Sequence, residues 1–494
     1  METEHLRTIL GLKLRRLRQD RGLGLKDLAR LSGMSISYLS EIEKGRKYPK
    51  PDKMLALARG LDVTFDDLVS LQVDQELNAV KDMMRSPLMQ GFPFHLFGLR
   101  AQDVVSLVTD VPEKAGALVR TFLEVGRTYD VRVEQFLFAA LRSYQQMHDN
   151  HFEDLERAAA GFVERHGWSD ATTLEPEWLQ GVLEDEYGYR VATLDPERYP
   201  SLAGLRSIFI DGDRPAVLLN PRLLPSQQAF QLGREIGYNL LGLDERSSTS
   251  SPLEVTTFDQ VINDFKAAYF SGALLIDERD LVGRLANFLA SKTFDLPTLI
   301  AILDAYRATP ELFLYRVSQI VPVHFGLTEL FFMRFSHHPR GDDELHIQLT
   351  KNLNMSRVPV PYGIGLSEHY CRRWPGLRLL ADPRKQDRMR FRIQRSHFID
   401  DDSEFFVFSV ARPLAIAAGA HTSISMGFLV DDVFKRRVRF WNDPAVPRHE
   451  VNLTCERCRL PDCAERASPP LLIEEEAERT TRAAELAALE DEFR

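Results

Sequence analysis

Apolar positions in the first 70 residues recur at helical spacing. Leu10, Leu14 and Leu17 follow one another at intervals of four and three, which places them on one helical face. Gly22 and Gly24 interrupt that face, and Leu25 to Leu31 predicts a short second helix. Gly33 supplies a turn, Ser35 an N-cap, and Ile36 to Lys44 a third helix stopped by Gly45. Pro49 and Pro51 precede a fourth helix over 52–60, and a last one begins near Thr64 with Phe65 and Leu68 inward. Residues 75–165 read as largely helical. Within them, 136–167 has long helical periodicity and no proline, as expected of a connecting helix, a dimer contact or a plain core helix.

The pattern changes after residue 172. TLEPEWLQGVLEDEYGYRVATL predicts a helix and then a strand, SIFIDGDRPAVLLNP a hairpin turning at Asp211, Gly212 and Asp213, and AFQLGREIGYNLLGL a helix. Residues 257–320 return to helical spacing. The stretch 328–450 is strand-rich: ELHIQLTKNL, MRFRIQRSHFI, EFFVFSVARPLAI, SISMGFLVDD and RRVRFW predict successive strands. An acidic, Ala-rich helix closes the chain over 473–494. The fold class is therefore mixed: an all-α head, a helical segment and an α+β body. The expected division is 1–72, 73–168, 169–325, 326–472 and 473–494.

Composition narrows the class. Hydrophobic content of 44% and charged content of 27% are those of a globular protein, and no run of about 18 apolar residues predicts a membrane span. The N-terminus has no apolar signal segment, which predicts a cytoplasmic protein. The net charge of −10 is uneven, because residues 1–70 hold 14 Lys and Arg against 10 Asp and Glu. A basic head on an acidic body confines any DNA contact to the head.

Two short helices around a Gly turn are what a helix-turn-helix requires, and Leu28, Ala29, Leu39 and Ile42 have the spacing that packs them together. The segment LKDLARLSGMSISYLSEIEKGRKYPKPDKMLALARGLDV resembles the XRE (Cro/CI-type) regulators. Carried over by position, the resemblance implies a recognition helix from Ser35 to Lys44. Ile36, Ser37, Ser40 and Glu41 would enter the major groove, while Ser35 and Tyr38 would meet phosphates. Leu25 stands where the family often has Gln, so that contact is in doubt. Lys26, Lys44, Arg46 and Lys47 would add charge against the DNA backbone. The expected partner is a double-stranded DNA operator, bound by a homodimer.

FQLGREIGY, followed by Asp264 and AAYFSGALL, resembles the helix and later acidic position of the ImmA/IrrE zinc-peptidase-like family. That family's HExxH sets two His on one helical face around a Glu base. Here Arg234 and Tyr238 occupy the metal positions and only Glu235 survives. An arginine stays protonated and cannot ligate zinc. The resemblance therefore implies the fold and not the activity: the chain is expected not to be an enzyme, with Glu235 a structural carboxylate paired with a base.

NLTCERCRLPDCAERASPP holds Cys455, Cys458 and Cys463, and Cys371 lies upstream in HYCRRWPG. Four such thiols suit zinc or an iron–sulfur cluster; small buried residues without metal are the alternative. Head, IrrE-like segment and cysteine motif together resemble the short-chain fatty acyl transcriptional regulators. That resemblance implies a 4Fe–4S cluster, with zinc as the alternative, and an acyl-CoA-type effector. Arg388, Arg390 and Arg392, within a basic cluster that includes Arg384, Lys385 and Arg395, share one face of a predicted strand and are candidates for coenzyme A phosphates. A solvated basic face is the alternative. His337 and His338 read as surface residues beside a loop. The competing functions are an ImmA-type metallopeptidase and an antitoxin-like interaction protein.

Overall fold

The computed structural model describes residues 2–43, 47–69, 133–167, 174–249, 255, 257–338, 346–358, 368–382, 388–417 and 419–493. Most of the expected 73–168 segment lies outside these, as do Lys44, Arg46, Arg384 and Lys385. The chain divides into two compact units, Met1–Tyr144 with Val255–Phe258, and Gln145–Glu254 with Asp259–Arg494.

In the first unit, α1 (Glu2–Asp20), α2 (Leu25–Ser32), α3 (Ile36–Glu43), α4 (Pro51–Gly60) and α5 (Phe65–Val69) enclose one apolar core. Leu10, Leu14, Leu28, Leu39, Ile42, Leu57 and Leu68 are buried in it. Gly33 closes α2 at φ 70°, a conformation that glycine adopts without strain. Gly11 sits where a Cβ would come within 2.3 Å of the Ile42 carbonyl oxygen, so only glycine lets α1 and α3 approach this closely.

After α6 (Val133–Met147) comes α7 (Glu153–Arg165). The periodicity over 136–167 thus belongs to two helices and not to one. Asp149 and Asn150, at φ 50° and 53°, turn the chain between them. The second unit continues with α8 (Pro176–Tyr187), β1 (Arg190–Thr193), β2 (Ser207–Ile210), β3 (Ala216–Leu219) and α9 (Pro225–Leu240). Strands β1 and β2 flank β3, parallel and antiparallel to it respectively. Helices α10 (Phe258–Leu275), α11 (Glu278–Leu289), α12 (Leu296–Ala305) and α13 (Pro310–Phe325) follow.

A six-stranded sheet comes next, from β4 (Leu330–His337), β5 (Ile347–Asn354), β6 (Arg390–Phe398), β7 (Glu404–Pro413), β8 (His421–Leu429) and β9 (Arg448–Val451). Its order is β5-β4-β8-β7-β6-β9. Helix α14 (Pro375–Ala381) precedes β6, α15 (Asp432–Arg437) follows β8, and α16 (Leu471–Glu492) closes the chain with no buried residue. RRVRFW is not a strand: its first residues end α15, whose N-cap Asp431 accepts a hydrogen bond from the Phe434 amide at 2.9 Å. Val438 and Phe440 are nevertheless buried. The segments 169–325 and 326–472 share one core, in which Phe313, Leu314 and Val317 of α13 meet Phe332 of β4 and Phe406 and Phe408 of β7. His337 ends β4, its Nδ1 2.9 Å from the His346 carbonyl, and His338 is exposed.

Where the turn before α7 meets α11 and α13, Oε1 of Glu278 lies 2.8 Å from His151 Nε2 and 2.7 Å from His324 Nε2. The hydrogen bond with His151, then that with His324, hold the Glu278 carboxyl down near about 2 against the opposing effect of burial. A carboxyl depressed on folding stabilises the protein above its unfolded pKa and loses that contribution as pH falls toward the folded value. We expect about 1–2 kcal/mol from this group at neutral pH, discounted for partial solvent screening and lost between about pH 4.5 and 2. Urea denaturation of wild type and Glu278→Gln across that range checks this, the variant showing the shallower pH dependence.

Candidate functional site

The head's second helical pair is built to hold α3 outward. Leu39 and Ile42 are fully buried, which turns the intervening positions away from the core. Ile36 is 43% exposed, Ser37 is exposed, and Tyr38, Ser40 and Glu41 are half-buried. Ser35 caps the helix, its Oγ accepting from the Tyr38 amide at 3.2 Å. Lys26 and Lys47 are exposed. Lys47 lies 2.7 Å from Glu41 and over the Tyr38 ring, an arrangement that raises the lysine pKa through the Glu41 hydrogen bond.

One determinant escaped the sequence reading. Arg18 of α1 grips Glu43, the last residue of α3, through Nε–Oε1 at 2.6 Å and Nη2–Oε2 at 2.9 Å. The partners are only 12% and 7% exposed. This bidentate pair fixes the far end of α3 against the bundle.

In the second unit the positions of the lost HExxH lie on α9. Gly233 and Gly237 let α10 pack against that helix, since a Cβ at Gly237 would come within 2.9 Å of Phe270. Arg234 pairs with Asp264, and the Tyr238 hydroxyl donates to the same carboxylate at 2.9 Å. Glu235 is held by both oxygens on Arg246 Nη2, at 2.8 and 2.7 Å, and that guanidinium lies between the Phe209 and Tyr238 rings at 3.6 and 3.9 Å. The expected base partner of Glu235 is therefore Arg246. Burial drives the Tyr238 hydroxyl far up. A guanidinium and a neutral phenol on one carboxylate make no zinc ligand set.

The four cysteines meet around one small cavity that also touches Arg373, Glu465 and Arg466. The Tyr370–Thr454 bridge joins the two segments, with the Cys371 amide donating to Leu453 at 3.2 Å and the Cys455 amide to His369 at 2.9 Å. Trp374 anchors the turn through Nε1 to the Asn452 carbonyl at 2.9 Å. Arg466 donates to the carbonyls of Cys455, Cys458 and Leu460 and so ties the loop around the thiols. Burial pushes the Cys371 thiol up to about 11 and raises Cys458 as well. A cation at this cavity would reverse that preference, because thiolates are the ligand form.

On β6, Arg390 and Arg392 are half-buried and pair across the ladder with Ala411 and Ser409. Arg388, exposed, precedes the strand, and Arg390 Nη1 donates to the Asp382 carbonyl at 3.0 Å.

An outward-facing α3 locked onto a helical core is the arrangement of a helix-turn-helix module. A family model described as a helix-turn-helix domain matches residues 9–71, and one described as an IrrE N-terminal-like domain matches residues 188–318. The chain is 25% identical over 293 residues to the HTH-type transcriptional regulator PrpR of Mycobacterium tuberculosis, covering 56% of this chain and 57% of that protein. It is 44% identical over 57 residues to the HTH-type transcriptional regulator DdrOP3 of Deinococcus deserti, covering 12% of this chain and 44% of that protein. It is 35% identical over 65 residues to the uncharacterized HTH-type transcriptional regulator y4dJ of Sinorhizobium fredii, covering 13% of this chain and 84% of that protein. The matches to PrpR and DdrOP3 thus span about half the length of each. This chain belongs to the helix-turn-helix family of DNA-binding transcription regulators, with an XRE-type head and an IrrE-like segment.

Removing one partner of the Arg18–Glu43 pair leaves a poorly solvated charge, so Glu43→Ala should destabilise the head by about 2–3 kcal/mol. Differential scanning calorimetry of the full chain should show an earlier transition, with DNA binding lost at a correspondingly lower temperature.

Proposed function

We propose that this chain is a cytoplasmic one-component regulator: a homodimer whose heads bind a DNA operator and whose body senses an acyl-CoA-type metabolite. The observation that carries the DNA half is α3, with Leu39 and Ile42 fully buried and Ile36 and Ser37 turned outward. Ile36, Ser37, Ser40 and Glu41 read base edges, Ser35 and Tyr38 position the helix on phosphates, and Lys26, Lys44, Arg46 and Lys47 supply charge. Two such heads suit half-sites about one helical turn apart.

For the body, support comes from the resemblance to fatty acyl regulators and from an apolar cavity of about 70 Å³ between α13 and the sheet. Leu285, Phe288, Leu314, Val317, Phe406 and Phe408 are among its walls, an environment and size that suit a short acyl group. Arg388, Arg390 and Arg392 are assigned to the coenzyme A phosphates. The IrrE-like segment serves as a scaffold without peptidase chemistry, because Arg234 and Asp264 neutralise one another and Arg246 occupies Glu235. A peptidase assay on zinc-loaded protein checks this: zinc-dependent cleavage lost in Glu235→Gln would contradict it.

Cys371, Cys455, Cys458 and Cys463 are assigned to a 4Fe–4S cluster, which supplies a redox-sensitive staple between the two cysteine segments. The resemblance to the fatty acyl regulators favours the cluster over zinc, which the same four thiolates could also hold.

Two outcomes test this reading. Ser37→Ala and Ser40→Ala should each weaken operator binding by about 1–3 kcal/mol per lost base contact, and Lys26→Ala should weaken binding to every sequence and flatten its salt dependence. Gel-shift affinity unchanged by deletion of residues 1–70 would contradict the assignment. Protein purified without oxygen should be brown and carry four irons per chain, and Cys371→Ser should lower both iron content and thermal stability. A colourless protein with one zinc per chain selects the alternative, and a metal-free protein with stability unaffected in all four single variants removes the centre.

A further inference from the structure

A second cavity, of about 160 Å³, lies beside the position the peptidase metal would have occupied. Arg206, Arg234, Arg316, Lys351 and Arg412 line it, against the carboxylates Asp264 and Glu311. The pairing of these charges is uneven. Arg316 is satisfied by Glu156, through contacts of 2.6 and 2.7 Å, and Arg234 by Asp264. Glu311 then serves both Arg334, at 3.0 and 3.2 Å, and Arg206, at 3.8 Å.

Lys351 and Arg412 have no carboxylate partner among the described residues. The Lys351 ammonium rests 3.6 Å over the Tyr315 ring. Arg412 is only 8% exposed, and its Nε is buried without a hydrogen-bond acceptor. Four cations, Arg206, Arg334, Lys351 and Arg412, therefore crowd around one carboxylate. Burial pulls the Lys351 ammonium down to about 8, with Arg334 and Arg206 adding to the effect and Glu311 opposing it. Burial lowers Arg206 and Arg412 in the same way.

Charges in this density repel one another, and Lys351 and Arg412 have no carboxylate among the described residues to compensate their desolvation. A fold retains such a cluster at low cost when a counter-charge arrives from outside. A monocarboxylate would neutralise one of the two cations without a carboxylate, Lys351 and Arg412, whereas a phosphate dianion neutralises both and offers three acceptor oxygens. The cavity admits a group of that size with a few waters.

We propose that this cavity is a binding site for a phosphate-type dianion, either free or as the phosphoryl end of a metabolite, held by Arg206, Lys351 and Arg412. Where the peptidase fold would place a metal to meet a substrate's oxygen, this chain has Arg234 in an ion pair and a cationic wall beside it. The site does not depend on coenzyme A esters being the effector, since inorganic phosphate alone satisfies its chemistry. It lies within the second unit and needs no other chain.

The test is isothermal calorimetry and thermal unfolding of the full-length protein with inorganic phosphate, with coenzyme A, and with sodium chloride at matched ionic strength. Saturable binding of phosphate and a rise in unfolding temperature beyond the salt control are expected. Saturation by coenzyme A that Arg412→Met weakens, with no response to phosphate up to tens of millimolar, would assign the cavity to an esterified source instead of the free ion. Arg412→Met and Lys351→Met should each weaken phosphate binding at least tenfold. Without phosphate they should unfold at or above the wild-type temperature, because each removes an unpaired buried charge. No response to either ligand beyond the salt control overturns the proposal. So does a pair of variants that are destabilised without phosphate yet respond to it like wild type. If Arg412→Met does not fold, Lys351→Met and the wild-type calorimetry still decide. Failure of acyl-coenzyme A to bind, with phosphate binding intact, would remove the acyl reading and leave this site.

Discussion

Arg316 of α13 is 1% exposed and meets both oxygens of Glu156 on α7, while the Tyr269 hydroxyl of α10 donates to the same carboxylate at 2.6 Å. Two further guanidinium donors reach the Ile276 carbonyl and Gln319 at 3.1 and 3.2 Å. Three helices are thus bolted together at one buried charge pair, and loss of either partner would leave an uncompensated charge costing about 3–5 kcal/mol. Helix α13 is the element that depends on it. One part of its surface, at Phe313, Leu314 and Val317, closes the apolar cavity, and another, at Glu311, Leu312 and Tyr315, closes the cationic one. The position of both candidate ligand cavities therefore follows from where Arg316 is held.

The same residue chemistry explains how a peptidase-like segment serves a regulator. Replacing two imidazoles by Arg234 and Tyr238 exchanges a removable metal for fixed side chains. Asp264 then becomes the counter-ion of a guanidinium instead of a ligand. Glu235 would otherwise be a buried carboxylate without a partner, and Arg246, stacked between two aromatic rings, fills that need. What remains at these positions is a pair of ion pairs, Arg234–Asp264 and Arg246–Glu235, in place of the HExxH ligand set.

Much of the fold was legible because local apolar period and local structure agree. The head's helices follow from Leu10, Leu14, Leu28, Leu39 and Ile42, and the hairpin at Asp211–Gly212 from its turn residues. Elements were missed where that agreement breaks. Strand β4 pairs on both edges and is buried at nearly every position, so it shows no alternation to read. RRVRFW imitates a strand because Val438 and Phe440 are buried two residues apart, yet Asp431 starts a short helix there. The break at Asp149 and Asn150 carries no Gly or Pro, only residues that tolerate a left-handed backbone. The clustered cysteines were visible as a motif, and their meeting with Cys371 needed the Tyr370–Thr454 bridge. The long-range ion pairs, Arg18–Glu43 and Arg316–Glu156, leave no local trace. A trace of the cationic cavity did exist: Arg334 follows four apolar residues in β4 and Arg412 follows Val410 and Ala411 in β7, and neither was singled out.

A ligand-responsive regulator must couple its body to its head, converting ligand binding into a change in DNA affinity. Fluorescence anisotropy of a labelled operator fragment, titrated with anaerobic full-length protein with and without saturating propionyl-coenzyme A, measures that coupling directly. Allosteric coupling free energies of about 1–3 kcal/mol predict operator affinities differing by about 5- to 150-fold between the two titrations. Superimposable binding curves, with the ligand shown by calorimetry to be bound, would contradict the account.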